Sequence, residues 1–89
     1  MLKLRAQLSP EALFQEIGGE AVILDLASST YFGLDQVGAR LWQLLQDDPD
    51  VAAACACLLQ EYEVEAERLE KDINALLQQL AEARLVTLG

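Results

Sequence analysis

Gly18-Gly19-Glu20-Ala21-Val22-Ile23-Leu24-Asp25-Leu26-Ala27-Ser28-Ser29-Thr30-Tyr31-Phe32 is the stretch on which the fold turns. A Gly-Gly pair supplies the positive φ angles of a two-residue hairpin turn, so Phe14 to Ile17 and Ala21 to Leu26 are expected to pair across it. Along the second run Val22, Leu24 and Leu26 fall on one face and Ala21, Ile23 and Asp25 on the other. That is the pattern of a strand buried on one face and on part of the other. Ala27-Ser28-Ser29 has the composition of a turn, and Thr30-Tyr31-Phe32 that of a short third strand. Upstream, Leu2 to Gln7 alternates only weakly and is cut off by Ser9-Pro10, so no strand is assigned there.

Downstream the period changes from two to 3.6. Asp35 is placed to cap a helix carrying Val37, Leu41, Trp42, Leu44 and Leu45 on one stripe. The cluster Gln46 to Asp50, with Pro49 inside it, ends that helix, and Asp48 or Asp50 can cap the next. Val51, Cys55, Leu58, Leu59 and Tyr62 then share a side, up to a stop near Glu61 to Glu63. A third helix is expected from about Glu65 to Ala83, with Leu69, Ile73, Leu76, Leu77 and Leu80 inward and Glu67 paired with Lys71 at i,i+4. Three short strands followed by three helices make an α+β fold. The pieces match a winged helix-turn-helix with its three-stranded antiparallel sheet placed first.

The chain has 89 residues, 53% hydrophobic and 24% charged, which is enough for one small domain, residues 1–89, and no second. Fifteen acidic residues against six basic give a net charge of -9. The excess is C-terminal: residues 47–89 carry ten acidic and three basic side chains, residues 1–46 five and three. Such a surface repels phosphate backbones and anionic membranes. The chain lacks histidine, the commonest general base and metal ligand at neutral pH, so no catalytic residue, metal site or cofactor is expected. Cys55 and Cys57, two apart on a helix, point about 200° apart around its axis and read as small core-filling residues rather than a disulfide or a zinc site. The longest apolar run, Val51 to Leu59, is nine residues, far below the roughly 20 that span a bilayer. Met1 to Pro10 has no hydrophobic signal core, so a cytoplasmic location is expected.

Trp42, on an apolar stripe, reads as a core anchor, and acidic pairs such as Asp47-Asp48 as a solvated face. Tyr31 and Phe32 are different, because adjacent strand residues point to opposite faces and only one of them can join the core. The third strand of a meander also leaves one edge unpaired. That edge is either an ordinary protected one beside a helix or a template for an added peptide strand.

The run from Gly19 to Leu45 contains Leu24-Asp25-Leu26, the turn, Tyr31-Phe32-Gly33-Leu34-Asp35 and then Gly38-Ala39-Arg40-Leu41-Trp42-Gln43-Leu44-Leu45. It resembles the PqqD-like family, and Glu61-Tyr62-Glu63-Val64, Asp72-Ile73 and Ala83-Arg84-Leu85-Val86 extend the likeness over roughly residues 12–88. Asp35 stands for a common Asn, and Glu65 for the Ser or Asp that often caps the third helix. The resemblance implies a recognition element for the leader peptide of ribosomally made, modified peptides, with the leader added as a strand in the groove between third strand and third helix. Among such domains the Tyr-Phe-Gly-Leu-Asp form in a free-standing chain looks most like the lasso-peptide version. It implies partners in a separate cysteine-protease leader peptidase and a cyclase, and a leader with a Tyr and a Pro a few residues apart.

The expected peptide-binding residues are Ser29, Thr30, Tyr31, Phe32, Gly33 and Leu34 on the strand, with Asp72, Ala75, Leu76 and Gln79 on the helix. Thr30 or Phe32 is expected to supply a ladder donor, depending on donor direction. Three rivals stand beside this, one of them a purely structural subunit that docks on an enzyme without touching the leader. Pyrroloquinoline quinone and radical-enzyme pathways use similar free domains as peptide chaperones. A winged-helix DNA-binding regulator shares the fold, but Glu65, Glu67, Glu70 and Asp72 crowd the start of its would-be recognition helix around only Arg68 and Lys71.

Overall fold

The computed structural model describes residues 4–18 and 20–89, so Gly19 of the first turn and the start of the weakly alternating Leu2 to Gln7 segment lie outside it. In chain order the elements are β1 (Ala6–Leu8), β2 (Ala12–Ile17), β3 (Glu20–Asp25), β4 (Thr30–Leu34), α1 (Gln36–Asp47), α2 (Val51–Glu61), α3 (Ala66–Glu82) and β5 (Val86–Leu88). The hairpin read from Gly18 forms, with Gly18 at φ +59° and Ile17 opposite Glu20. Strands β2, β3 and β4 make one antiparallel sheet in that order, which leaves β4 at an edge.

The core face of this sheet is the one carrying Ala21 and Ile23, opposite Leu34 and Phe32 on β4 and with Phe14 beside Ile23 on β2. Helices cover it. Trp42, 2% exposed, lies in the core with Leu41 and Leu45 of α1, Leu58 of α2, and Ile73, Leu77 and Leu80 of α3. Its indole Nε1 is buried without a hydrogen-bond partner. On α2 the buried residues are Val51, Ala54, Cys55 and Leu58, while Leu59 is partly exposed. Leu59 sits about 80° around the axis from Val51, too far round to share the stripe.

Capping follows side-chain chemistry. Asp35 Oδ1 accepts from the Gly38 N–H at 2.7 Å, and Asp50 Oδ1 from Ala52 and Ala53 at 3.0 and 3.4 Å. Glu65 makes no side-chain cap on α3. The expected Glu67–Lys71 pair is not closed either. Among the described residues the ion pair present is Arg40–Glu61, a forked contact that ties α1 to the end of α2, with Nε–Oε1 and Nη2–Oε2 both at 2.9 Å.

A second, two-stranded sheet is an addition to the expected fold. β1 pairs with β5, and Arg5 and Gly89 exchange backbone bonds of 2.9 Å each way. Ala6 also donates to Pro49 at 2.8 Å and Val51 to Leu4 at 3.0 Å, so both chain ends are tied to the junction between α1 and α2. Among the described residues no helix is long and apolar enough to cross a membrane.

Candidate functional site

The open edge of β4 can be resolved to individual backbone groups. In an antiparallel pair successive residues turn their N–H and C=O alternately to one neighbour and the other. The Leu26 N–H donates to the Glu11 C=O at 2.9 Å, continuing the β2–β3 ladder, so Leu26, Leu24, Val22 and Glu20 face β2 and Ala21, Ile23 and Asp25 face β4. Their partners Leu34, Phe32 and Thr30 therefore turn their backbone inward. Tyr31 and Gly33 turn theirs outward. The expectation that Thr30 or Phe32 supplies the ladder donor is thereby corrected: those two amides belong to the β3–β4 ladder, and the free donors are Tyr31 and Gly33.

The turn before β4 is held by Asp25. Its carboxylate accepts from the Ala27 N–H at 3.1 Å and the Ser28 hydroxyl at 2.8 Å, and its carbonyl takes the Ser29 N–H at 2.8 Å. Ser29, at φ +58°, is exposed but has its amide already engaged, so it offers the edge no donor. The Ser28 and Thr30 hydroxyls, 2.7 Å apart, fasten the turn to the first residue of the strand.

Side chains alternate across the strand. Phe32 and Leu34 are half-buried against the core, while Tyr31 is 76% exposed on the opposite face. Gly33, also exposed, has no heavy atom within 4 Å of where a Cβ would stand, which leaves the backbone open to an approaching chain.

The helix residues expected from sequence form one stripe of α3, which reaches β4 at Leu76. Asp72, Ala75, Leu76 and Gln79 recur at three- and four-residue steps beside the buried row of Leu69, Ile73, Leu77 and Leu80. Leu76 is half-buried; Asp72, Ala75 and Gln79 are exposed. Strand and helix meet over Gly38: a Cβ there would lie 3.3 Å from both Leu34 Cδ2 and Leu76 Cδ2, and 3.1 Å from the capping Asp35 Oδ1. Any Cβ there would press on both leucines and on the capping carboxylate, which would each have to give by a few tenths of an ångström.

Two hollows lie nearby, one between α1 and the start of α3 and one between β4 and the end of α3. One, of about 170 Å3, is lined by Val37, Gly38 and Leu41 of α1 and by Val64, Leu69 and Ile73, with Asp35, Arg68 and Asp72 as its charged members. The other, of about 120 Å3, lies between Thr30, Tyr31 and Phe32 of β4, Ile23 and Asp25 of β3, and Ala83 and Leu85 beyond α3. Of the residues expected from sequence, Thr30, Tyr31 and Phe32 line the second hollow, Asp72 lines the first, and Leu34 and Leu76 meet over Gly38. Ala75 and Gln79 share the helix stripe but line neither hollow, and Ser29 stays in the turn.

Sequence reasoning passed over Val64, Arg68, Gly38, Ala83 and Leu85. Two of these carried a signal, since Arg68 and Ala83 lie four residues before Asp72 and four after Gln79 on the chosen stripe. The others reach the cleft only through tertiary packing.

The model of the PqqD family, described as coenzyme PQQ synthesis protein D, matches residues 20–86. No curated protein sequence matches the chain. Two solved structures resemble it. One is TbiB1 in complex with the TbiA(beta) leader peptide, 34% identical over 90% of this chain and 93% of that one, with a TM-score of 0.81. The other is a lasso peptide synthetase B1 complexed with the leader peptide, 32% identical over 93% of this chain and 98% of that one, also at 0.81. The sheet-first arrangement with its three helices is the fold of these neighbours. With most of its length matched by the family model and two relatives of this identity, the chain belongs to the PqqD family.

Proposed function

We propose that this chain binds the leader peptide of a ribosomally synthesised precursor, of the lasso-peptide class, as a strand added to β4, and delivers it to a separate leader peptidase and a cyclase. The observation that carries the reading is the outward pair of amides and carbonyls at Tyr31 and Gly33 beside a cleft walled by Leu34 and Leu76. An extended peptide pairing there gains main-chain hydrogen bonds that tolerate sequence variation, and the two end hollows receive side chains and supply selectivity. Two neighbours of this fold being leader-peptide complexes supports the same ligand.

Binding requires no acid, base or nucleophile. The chain acts by holding one end of a substrate near the enzymes that process the rest, which raises the effective concentration of the reacting segment. Ser29 to Leu34 and Asp72, Ala75, Leu76 and Gln79 form the proposed contact set, joined by Arg68 and Ala83 at the cleft ends.

Calorimetric titration of the isolated chain with synthetic leader and core peptides tests the reading. The expected result is saturable 1:1 binding of the leader alone. Equal affinity for both peptides, or for neither, overturns it.

A further inference from the structure

The end of α3 carries a residue that its backbone conformation disfavours. The Arg84 N–H donates to the Ala81 C=O at 3.0 Å and the Leu85 N–H to the Leu80 C=O at 2.9 Å, the paired bonds of a Schellman turn. Arg84 occupies the left-handed position of that turn, at φ +62°. Glycine is the usual residue there, because a Cβ in the left-handed region crowds the backbone and costs the fold stability. Strain of this kind persists where the side chain has work to do.

A cation for the helix dipole does not account for it. The last turn of α3 holds no basic residue, and a Lys or Arg at Glu82, the last helical residue, would complement the C-terminal carbonyls without the strain. Position does account for it. Ala83 and Leu85, on either side of Arg84, both line the hollow that opens beside Thr30, Tyr31 and Phe32. A long side chain in place of Ala83 would occupy that hollow, whereas at Arg84 it leaves the hollow open. Arg84 is exposed, makes no ion pair among the described residues, and is the one basic residue from Asp72 to Gly89. The Asp25 carboxylate in the same hollow is already engaged by the Ala27 N–H and the Ser28 hydroxyl.

We propose that Arg84 is a specificity-determining residue of the leader site, and that its guanidinium pairs with a carboxylate of the bound leader, an Asp or Glu next to the side chain that enters this hollow. A guanidinium meets a carboxylate through two parallel N–H bonds, a geometry that neutral side chains do not reproduce. The proposal rests on the leader reading above and deepens it, adding a charge requirement to the main-chain pairing at Tyr31 and Gly33. The left-handed backbone at Arg84 gives up fold stability for a ligand contact.

The test is calorimetric titration of the full chain with the synthetic leader of its own precursor, run beside thermal melts. Arg84→Gly is expected to raise Tm by a few degrees while weakening leader binding about fivefold. Arg84→Gln keeps the strain and loses the charge, so it is expected to lose the same affinity with Tm near that of wild type. Leaders in which each Asp or Glu is neutralised in turn to Asn or Gln complete a cycle. One of them is expected to bind wild type about fivefold more weakly than the parent leader and to bind Arg84→Gln as the parent does. Unchanged affinity in both Arg84 variants, or a set of neutralised leaders that all bind wild type like the parent, overturns the proposal and leaves the leader reading intact. So does a loss confined to Arg84→Gly, because backbone freedom and not charge would then be its cause. A lower Tm in Arg84→Gly is equally fatal, since the arginine would then serve the fold. A wild-type chain that binds no leader strikes both readings.

Discussion

At the scale of single residues, the three helix starts make a natural comparison. Asp35 and Asp50 each accept backbone N–H groups, while Glu65 accepts none, because its longer side chain does not hold a carboxylate over the first turn. Replacing Glu65 with Ser is therefore expected to stabilise the fold by about 0.5 to 1 kcal/mol, and Asp50→Ala to cost about 1 kcal/mol, both readable from urea unfolding midpoints. The two cysteines differ as sharply. Cys55 is buried and its thiol is pushed up from its ordinary range, first by burial and then by Glu70, whereas Cys57 is exposed. A maleimide is expected to label one thiol per native chain, at Cys57, and two in denaturant, as counted by mass spectrometry. The reading of both as core-filling residues holds for Cys55 and is corrected for Cys57, which two residues along the helix is turned out to solvent.

At the scale of elements, β4 is the strand whose geometry has consequences. Proline at an outward-facing position of an edge strand removes no bond of the sheet, while proline at an inward-facing one does. Gly33→Pro is thus expected to leave Tm within a few degrees of wild type and to weaken leader binding about tenfold or more. Phe32→Pro should instead lower stability by about 3 kcal/mol, visible as a drop in Tm before any peptide is added. A larger loss of stability in Gly33→Pro than in Phe32→Pro would mean that the donor directions are reversed. The composition of Thr30-Tyr31-Phe32 established the strand, but donor direction depends on register against β3, which a three-residue motif does not encode.

For the whole molecule, the ties between distant segments are few and specific. Arg40 and Glu61 join α1 to the far end of α2, and the guanidinium holds the Glu61 carboxyl below its usual range, chiefly through their hydrogen bond. A carboxyl lowered in the folded state stabilises above its unfolded value, and that contribution disappears as pH falls through the folded one. Wild type is therefore expected to melt slightly above Glu61→Gln near neutral pH, with the gap closing as pH falls toward about 3 and narrowing in high salt. The pair is partly solvated, so the gap is small. Scanning calorimetry of both proteins across pH measures it.

Sequence by itself determined the local choices of this chain: the Gly18 turn, the change of hydrophobic period at Asp35, the break at Pro49, and the sides on which Trp42, Cys55 and Ile73 are buried. These follow from backbone sterics and from periodicity within one segment, and the match of Gly19 to Leu45 to its family rests on the same run of residues. Tertiary structure alone decided the rest. The β1–β5 sheet pairs Ala6 with Leu88, and no three-residue strand announces a partner so far along the chain. The hollows combine Val37 with Val64 and Thr30 with Ala83, which become neighbours only when α3 packs into the fold. The outward turn of Tyr31 and Gly33 likewise follows from hydrogen-bond alternation that begins at the β2–β3 hairpin. Each of these depends on long-range register, where the energy lies in contacts between segments and leaves no periodic trace within either one.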